Sequence, residues 1–200
     1  MHIEIEKLSG KHVCLELLSE TDIPTLRQLA KNEAIWEFTK GILIDADYDA
    51  NFDEYISLAK DKNAMGGQQA FVIRQTMDRA IIGMTRFYDI NPKDRKLAIG
   101  YTWYVPAVWG QIHNKECKLL LLQYAFETAA FTRVEFHVAG QNLRSQKAVT
   151  KIGAAKEGVL RKHNYRHGQV RDMVMYSIID DEWPAKKENL LQLIAAGENH

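Results

Sequence analysis

The sequence is poor in the features that mark secreted, membrane and disulfide-stabilised proteins. It has only two cysteines and four prolines among 200 residues, and no apolar run approaches the roughly 20 residues of a membrane-spanning helix. Cys14 and Cys117 each lie in an apolar pattern, which favours a reducing compartment over a disulfide framework. The start of the chain alternates charged residues with Ile, unlike a signal peptide. We therefore expect a cytoplasmic protein without membrane association.

Charge and composition exclude further classes. The 26 basic and 26 acidic residues balance to zero net charge, which argues against nucleic-acid binding through a general basic field. The seven histidines are scattered without the spacing of metal ligands, so no metal site is expected. No repeat or low-complexity linker divides the chain. We predict one domain over residues 1–182, followed by a C-terminal helix and tail over 183–200.

The periodicity of apolar residues predicts a mixture of strands and helices. Strands are expected at residues 12–17, 69–76, 80–88, 96–105, 133–138, 155–161 and 169–179. Helices are expected from Asp22 to about Asn32, from Tyr48 to Lys60, after Asn114, after Asn142 and from about Pro184. This order predicts an α/β fold of the α+β kind, in which a mixed sheet has helices packed on its faces.

The central strand and the helix after it have patterns that predict which side chains share a face. The strand is expected to place one set on the same face: Leu97, Ile99, Tyr101, Trp103 and Val105. Asn114 is the predicted N-cap of the helix. The predicted apolar stripe of that helix is Cys117, Leu120, Leu121, Tyr124, Ala125 and Thr128.

The next strand and helix bring polar side chains close to the core. Val134, Phe136 and Val138 are expected to face inward, which leaves Arg133, Glu135 and His137 on the opposite face. In the helix capped by Asn142, Ser145 shares the inner face with Ala148, Val149 and Ile152. A buried hydroxyl needs a partner or must line a cavity, because burying it unpaired costs about 1 to 3 kcal/mol.

The loop between Pro106 and Lys115 has the composition of an anion site. Pro106 ends a strand, and Gly110 precedes the start of a helix, whose first backbone N–H groups have no partner within the helix. Such amides suit a phosphate group. A single glycine is also explained by a plain left-handed turn, so the local pattern alone leaves both interpretations open.

The second half of the chain resembles a known family over about 85 consecutive positions. The matching stretches include Ile99–Tyr104, Trp109–Gly110, Asn114–Lys118, Tyr124–Glu127, Arg133–Phe136, Asn142–Lys147, Ile152–Ala154, Glu157–Arg161 and Gly168 to Ile178. In this order they resemble the ribosomal-protein-alanine N-acetyltransferase-like branch of the GCN5-related N-acetyltransferase (GNAT) superfamily. The first half resembles the family only in the order of its elements.

The resemblance implies an acyl-CoA N-acyltransferase fold with a mostly antiparallel central sheet. It also implies an enzyme that transfers acetyl from acetyl-CoA directly to a primary amine, either a protein N-terminus or a small molecule. The residues that it places at the pyrophosphate are Trp109, Gly110, Gln111, Ile112, His113, Asn114 and Lys115. It places the thioester beside Trp103, Tyr104 and Val105 and the pantetheine beside Asn142, and it makes Ser145 the proton donor to the CoA thiolate. The plausible acceptor-binding residues are Trp36, Phe38 and Tyr101.

The sequence departs from the family pattern at two places. Ile112 stands where the loop usually has a second glycine, so the loop needs a negative φ there to bind a pyrophosphate without strain. The strand before the loop lacks the glutamate that many relatives use as a base. Glu135 is the first candidate for that role, and the others are His137, Tyr101 and Glu37. Glu135 and His137 are equally explained as a polar pair, and the Ser145 hydroxyl as bonded to its preceding turn.

Two other functions remain as alternatives to the enzyme. A catalytically weak relative that binds acyl-CoA as a sensor or interaction module would account for Ile112 and the missing glutamate. Nucleic-acid binding through the basic hairpin segment 161–171 is the second alternative, but it is not expected in a neutral protein, and a solvated loop explains that segment better. A homodimer is expected from the family alone.

Overall fold

The computed structural model describes residues 5–38, 47–63, 67–166 and 169–198. Eight strands form one sheet in the order β1-β2-β3-β4-β5-β6-β8-β7. The strands are β1 (Lys7–Ser9), β2 (Val13–Leu17), β3 (Gln69–Gln75), β4 (Ile81–Asn91), β5 (Lys96–Tyr104), β6 (Arg133–Ala139), β7 (Ala155–Arg166) and β8 (Gln169–Ile179). Every pairing is antiparallel except β5 with β6. The predicted fold class, a mostly antiparallel mixed sheet with helices on both faces, is confirmed.

The helices divide between the two faces of the sheet. They are α1 (Ile23–Leu29), α2 (Tyr48–Lys60), α3 (His113–Gln123), α4 (Leu143–Lys151) and α5 (Trp183–Gly197). Side chains of α1 and α2 pack with Val72, Met84 and Trp103 in one core. Side chains of α3, α4 and α5 share the other core with the opposite face of the sheet. The sheet therefore separates an α1/α2 face from an α3/α4/α5 face.

Elements with strong local periodicity match their predictions closely. Helix α2 has the predicted bounds and buries Phe52, Tyr55, Ile56 and Ala59 on one side. Strand β6 alternates as predicted, with Val134, Phe136 and Val138 buried and the three polar side chains on the other face half-buried. Strand β1 was not predicted, because a strand of three residues gives too short a periodic signal.

The predicted alternation along β5 is wrong at Tyr101 and Trp103, whereas Val105, just after the strand, packs against the same core as Leu97 and Ile99. Leu97 and Ile99 pack into the α3/α4/α5 core, whereas Tyr101 and Trp103 pack against the α1/α2 core. The cause is a β-bulge: Tyr101 has a positive φ of 52°, and the register with β4 shifts between Met84 and Arg86. A bulge adds one residue to a strand, so every later side chain of the strand changes face.

The start and end of α3 also differ from the prediction. The N-cap is Ile112 rather than Asn114, which lies within the first turn of the helix. The helix ends in a π-helical turn over Tyr124–Thr128, and Thr128 is exposed rather than part of the apolar stripe. The other five predicted stripe residues are buried or half-buried.

The C-terminal part of the chain is more regular than predicted. The basic segment from Arg161 onward is not a loop but an extension of strand β7, which runs to Arg166, and its described side chains are mostly exposed. Gly168, expected in the turn, lies outside the described residues. Helix α5 buries Trp183, Leu190 and Ile194 in the α3/α4/α5 core. The division of the chain at residue 182 stays a prediction.

Candidate active site

The parallel pair of strands at the centre of the sheet opens into a cleft. Strands β5 and β6 pair over only three positions, the last of which joins Ala98 to Glu135. Beyond them no residue of β5 pairs with β6, and Ile99, Gly100, Trp103 and Tyr104 pair with β4 alone. The two strands therefore separate, and the separation begins well before Trp103.

One backbone amide of β5 faces this cleft at the predicted thioester position. Val105 donates its N–H to the Ile82 carbonyl oxygen on β4 at 2.8 Å, so it is not available to a ligand. The carbonyl of Trp103 also faces β4, since it lies 2.0 Å from the position that a Cβ atom on Gly83 would take. Because the C=O and N–H of one trans peptide group point in opposite directions, the N–H of Tyr104 faces the cleft. Of the three predicted residues, Tyr104 is thus the one whose N–H faces the cleft.

The loop at the end of the cleft presents the unpaired amides of a helix N-terminus. Gly110 has a φ of 76°, the left-handed conformation that a glycine tolerates best. Ile112 has φ −70° and ψ −28°, so the isoleucine at the usual glycine position is free of backbone strain. No side chain caps α3, which leaves its first N–H groups available to an anion. The requirement for a negative φ at Ile112 is met.

The side chains of this loop turn away from its amides. Gln111 donates to the Ala107 carbonyl at 2.8 Å, and Trp109 donates to the Tyr104 carbonyl at 2.8 Å. His113 is buried with Nε2 3.3 Å from the Gln75 side chain. Burial, with a smaller effect of His12, lowers the pKa of His113, so this side chain is neutral at physiological pH. Any contribution of these three residues to anion binding therefore comes through their backbone.

Two lysines lie close together beside the N-terminus of α3. Burial lowers the pKa of Lys115, and the charge of Lys151 on α4 lowers it further. Neither lysine forms an ion pair within the described part of the chain, where the lysine pairs involve other residues. Two uncompensated ammonium groups at a helix N-terminus attract a multiply charged anion. Lys115 was predicted from the sequence, whereas Lys151, which is 36 positions away in the chain, was not.

The N-terminus of α4 holds the two polar residues predicted for the cofactor arm and the thiolate. The Asn142 side-chain oxygen accepts the backbone N–H of Ser145 at 2.9 Å, so Asn142 is the N-cap as predicted. The Asn142 side-chain NH₂ is left to interact outside the helix. Ser145 is half-buried, and within the described ranges its hydroxyl has no hydrogen bond. The alternative that this hydroxyl is bonded to its preceding turn is therefore not what the structure contains.

A guanidinium contact joins this helix to the loop. The Arg144 guanidinium carbon lies 4.2 Å from the centre of the Trp109 ring and 5.3 Å from that of Phe38. Such cation–π contacts contribute about 0.5 to 1 kcal/mol where they are exposed. Phe38, predicted as an acceptor-binding residue, therefore lies beside the loop and the start of α4.

The α1/α2 face of the cleft is lined with aromatic rings around a buried arginine. Trp36 lies 5.9 Å from both Trp103 and Tyr55, measured between ring centres. The guanidinium of Arg86, which is 1% exposed, lies between the rings of Tyr55 and Tyr101 at 4.4 and 4.7 Å. Trp36 and Tyr101 were predicted to bind the acceptor, whereas Arg86 was not predicted. Its signal was a charged residue within an apolar central strand.

Tyr88 lies at the bottom of the same region. Its ring crosses Gly100 so closely that a Cβ atom there would lie 2.7 Å from a ring carbon, and its hydroxyl reaches the backbone of His137 on β6. Burial is the main reason that the pKa of Tyr88 is raised, so its hydroxyl stays protonated. Gly100 thus allows a side chain from β4 to cross β5 into the cleft.

Glu135, the first candidate for the base, is part of a charged network. It accepts hydrogen bonds from Arg133 at 2.7 Å and from His137 at 3.0 Å, and the Lys96 ammonium lies 3.7 Å away. Burial raises the pKa of Glu135, but the hydrogen bonds from Arg133 and His137 and the charges of Lys96 and Arg133 lower it overall. The carboxylate is therefore ionised but weakly basic. The polar pair with His137 is present, which is the alternative that the sequence left open.

Within the ranges that it describes, the structure contains neither a metal-binding cluster nor a helix suited to span a membrane. No group of three or more His, Cys, Asp or Glu side chains there is arranged to hold a metal ion. None of the described helices has the length and apolar character needed to cross a membrane. Cys14 and Cys117 are both buried and free.

Comparison with known proteins assigns the family. A model of the acetyltransferase (GNAT) domain matches residues 12–155. The chain belongs to the GNAT acetyltransferase family. The resemblance predicted from the second half of the sequence is confirmed, and the match extends into the first half of this GNAT domain.

Several relatives are similar to this GNAT protein. A Bacillus subtilis (strain 168) protein provisionally named ribosomal N-acetyltransferase YdaF is 32% identical over 111 residues, which make up 55% of this chain and 60% of that protein. A structure provisionally described as an acetyltransferase from T. thermophilus is 30% identical, with a TM-score of 0.83 over 97% of this chain and 100% of the other. A Vibrio cholerae spermidine N-acetyltransferase, solved with CoA and spermine, shares the fold at 19% identity and a TM-score of 0.70, over 88% of this chain and 99% of that one.

Proposed function

We propose that this GNAT protein is an N-acetyltransferase that moves the acetyl group of acetyl-CoA directly to a primary amine. The single observation on which this rests is the uncapped N-terminus of α3 at one end of the cleft between β5 and β6. Family membership supports the same activity, and a CoA complex exists for a protein of the same fold. The sensor alternative loses its main support, because Ile112 has an unstrained negative φ.

The phosphate end of acetyl-CoA would bind at the loop and the lysine pair. The backbone N–H groups from Gly110 to Lys115 bind the pyrophosphate, with the side chains of Gln111, Ile112, His113 and Asn114 on the outside of the contact. The ammonium groups of Lys115 and Lys151 neutralise the phosphate charge, which relieves their mutual repulsion. Two neighbouring lysines without a carboxylate partner are better explained by a bound phosphate group than by solvation alone.

The reactive end would lie in the cleft between β5 and β6. The Tyr104 N–H donates to the thioester carbonyl oxygen, where negative charge develops as the amine attacks. The Asn142 NH₂ group binds the pantetheine arm, because its carbonyl oxygen is already used in capping α4. Ser145 then protonates the departing thiolate with a hydroxyl that has no competing acceptor among the described residues.

The acceptor would approach from the α1/α2 face, past Trp36, Phe38 and Tyr101. An α-amine, whose pKa is about 7.8, is neutral in about one molecule of seven at pH 7, compared with about one in 2500 for a lysine side chain. Glu135, kept ionised but weakly basic by its neighbours, is a better match for the α-amine, either directly or through water. The buried positive charge of Arg86 on this face also disfavours a polycationic acceptor. We therefore favour a peptide N-terminus or a small α-amine. Dimerisation and a cytoplasmic location stay predictions.

The proposal is tested with purified protein and two assays. Calorimetry is expected to show saturable binding of acetyl-CoA, and a thiol-release assay is expected to show CoA formation with at least one amine. The acceptor panel should contain peptides with free N-termini, amino acids and polyamines. No binding of acetyl-CoA or CoA at millimolar ligand would refute the proposal, and binding without release on every acceptor would favour the sensor.

We expect the double substitution Lys115→Ala, Lys151→Ala to weaken acetyl-CoA binding about 100-fold. A hydrogen bond to a charged group contributes about 1.5 to 3 kcal/mol, and each 1.4 kcal/mol corresponds to a tenfold change in the dissociation constant. Calorimetry on the double variant and on each single variant gives the numbers. Lys93→Ala is the matched control, because Lys93 is exposed in the turn before β5, at the opposite end of that strand. Equal affinity of the double variant and the control would remove the lysine pair from the phosphate site.

A further inference from the structure

A lysine in the middle of α3 is buried with few partners. Lys118 is 5% exposed, and its ammonium donates one hydrogen bond, to the Thr102 hydroxyl at 2.8 Å. Its ammonium has no ion pair with a carboxylate in the part of the chain that the structure describes. Placing a charge in the protein interior costs several kcal/mol unless it is paired. One hydrogen bond to a neutral hydroxyl offsets only a small part of that free energy.

The groups that face Lys118 do not supply the missing charge. Burial raises the pKa of both Cys117 on α3 and Tyr104 on β5, so both are neutral at physiological pH. Glu116 has its carboxylate occupied by the backbone amides of Lys11–Val13. Burial accordingly lowers the pKa of Lys118. When Lys118 is protonated, its ammonium has no counter-charge among the described residues.

Lys118 contacts the part of β5 that borders the cleft, through the Thr102 hydroxyl. Thr102 follows the bulge at Tyr101 and lies on the open segment of β5, next to the residues predicted to hold the thioester. Its hydroxyl is also 2.8 Å from that of Thr85 on β4. Lys118 therefore lies over β5 and β4 on the α3/α4/α5 side of the sheet, and a single hydroxyl joins it to the segment of β5 that is not paired with β6.

We propose that Lys118 stabilises the negative charge that develops at the thioester during acetyl transfer, an inference that rests on the proposed function. The amine nitrogen attacks the acetyl carbon to form the carbon–nitrogen bond and loses one proton to Glu135, directly or through water. The carbon–sulfur bond breaks, and its electron pair leaves on the CoA sulfur, which Ser145 protonates. Lys118 gives no atom to this sequence. Its charge acts on the carbonyl oxygen and then on the sulfur, and a preorganised charge in a site shielded from water is more effective than one in solvent. It also positions the bulged segment through Thr102.

The test measures the ionisation of the thiol of bound CoA, which needs no knowledge of the acceptor. Thiolate absorbance in the ultraviolet is followed against pH for the CoA complex, with the complex of a CoA analogue lacking sulfur subtracted. For the wild type we expect a thiol pKa at least about one unit below the ordinary value near 8.5, and for Lys118→Met a return toward that value. We also expect Lys118→Met to release CoA at least about tenfold more slowly in the transfer assay, with an unfolding temperature equal to or above that of the wild type. Lys93→Met is the control for loss of a surface charge.

The outcomes separate this proposal from the proposed function. A bound-thiol pKa that is the same in wild type and Lys118→Met would overturn the role of Lys118 and leave the acetyltransferase proposal intact. So would unchanged turnover in the variant, or a loss of turnover that only parallels a loss of thermal stability. If the wild type does not bind CoA in calorimetry, it is the proposed function that fails, before any variant is made.

Discussion

Replacing Glu116 with Ala is expected to lower the free energy of unfolding by about 3 to 5 kcal/mol. The Glu116 carboxylate, on the first turn of α3, accepts the backbone N–H groups of Lys11, His12 and Val13 at 2.8, 2.7 and 2.7 Å. The carboxylate is 5% exposed, and a Cβ atom on Gly10 would lie 2.6 Å from it, so the turn before β2 wraps closely around it. Each buried N–H left without a partner costs about 1 to 3 kcal/mol, with less at the positions that water can reach.

Thermal unfolding is the measurement for this prediction. For a chain of this length, 1 kcal/mol corresponds to about 2 to 4 °C, so a drop of roughly 6 to 20 °C is expected. Glu116→Gln keeps one acceptor oxygen but directs an NH₂ group at the same amides, so it should lose a substantial part of the stability. Glu188→Ala, an exposed acid on α5, is the control and should change stability by less than about 0.5 kcal/mol. An unfolding temperature for Glu116→Ala within the range of the control would contradict the argument.

Regular elements of this fold follow from local sequence because each needs only its own periodicity. Helix α2 and strand β6 are examples: their buried positions repeat every three to four and every two residues, and the structure buries those positions. The caps of α4 are equally local, since Asn142 accepts an N–H of its own first turn and Gly153 takes a φ of 93° at the other end. These features require no knowledge of what packs against them.

The bulge in β5 is not local, and its consequence for the cleft was not predicted. A tyrosine at positive φ is uncommon, and the surrounding structure has to hold it there. Here the contacts come from β4: the Tyr88 ring lies 5.3 Å from that of Tyr101, and Arg86 stacks on Tyr101. The sequence of β5 by itself does not indicate that Tyr88 and Arg86 of β4 contact Tyr101. One added residue moved Tyr101 and Trp103 to the acceptor face and turned Thr102 toward α3.

The candidate site likewise combines features that local sequence determines with features that only tertiary packing determines. Its backbone groups were predictable, because a helix N-terminus after a glycine loop presents unpaired amides whatever the side chains are. Its charges were not, because only tertiary packing brings Lys118 to Thr102, Arg86 to Tyr101 and Lys151 to Lys115. Lys118 lies between Cys117 and a run of four leucines, so the sequence places it near the core without indicating a role.

Replacing Ser145 with Ala is expected to lower turnover about 100-fold while leaving the dissociation constant of acetyl-CoA within about threefold of the wild type, a loss typical of a missing general acid. The reason is geometric as well as chemical: the Ser145 backbone is fixed by Asn142, but its half-buried hydroxyl has no hydrogen bond with a described residue. Removing it therefore breaks no interaction of the resting protein, and stability should be unchanged. Thiol release with the best acceptor, calorimetry with acetyl-CoA and thermal unfolding together give these three quantities.

The matched control for Ser145→Ala is Thr150→Val, which removes an exposed hydroxyl from the same helix. Ser145→Cys adds a second test, because a thiol is a stronger acid than a hydroxyl but a poorer hydrogen-bond donor, and partial recovery of turnover is expected if proton donation matters. The contrast with Lys118→Met is informative. Loss of a proton donor leaves the bound CoA thiol with its lowered pKa, whereas loss of the buried charge raises that pKa. Turnover equal to that of the control would exclude Ser145 from the reaction, and the proton of the thiolate would then have to come from water in the cleft.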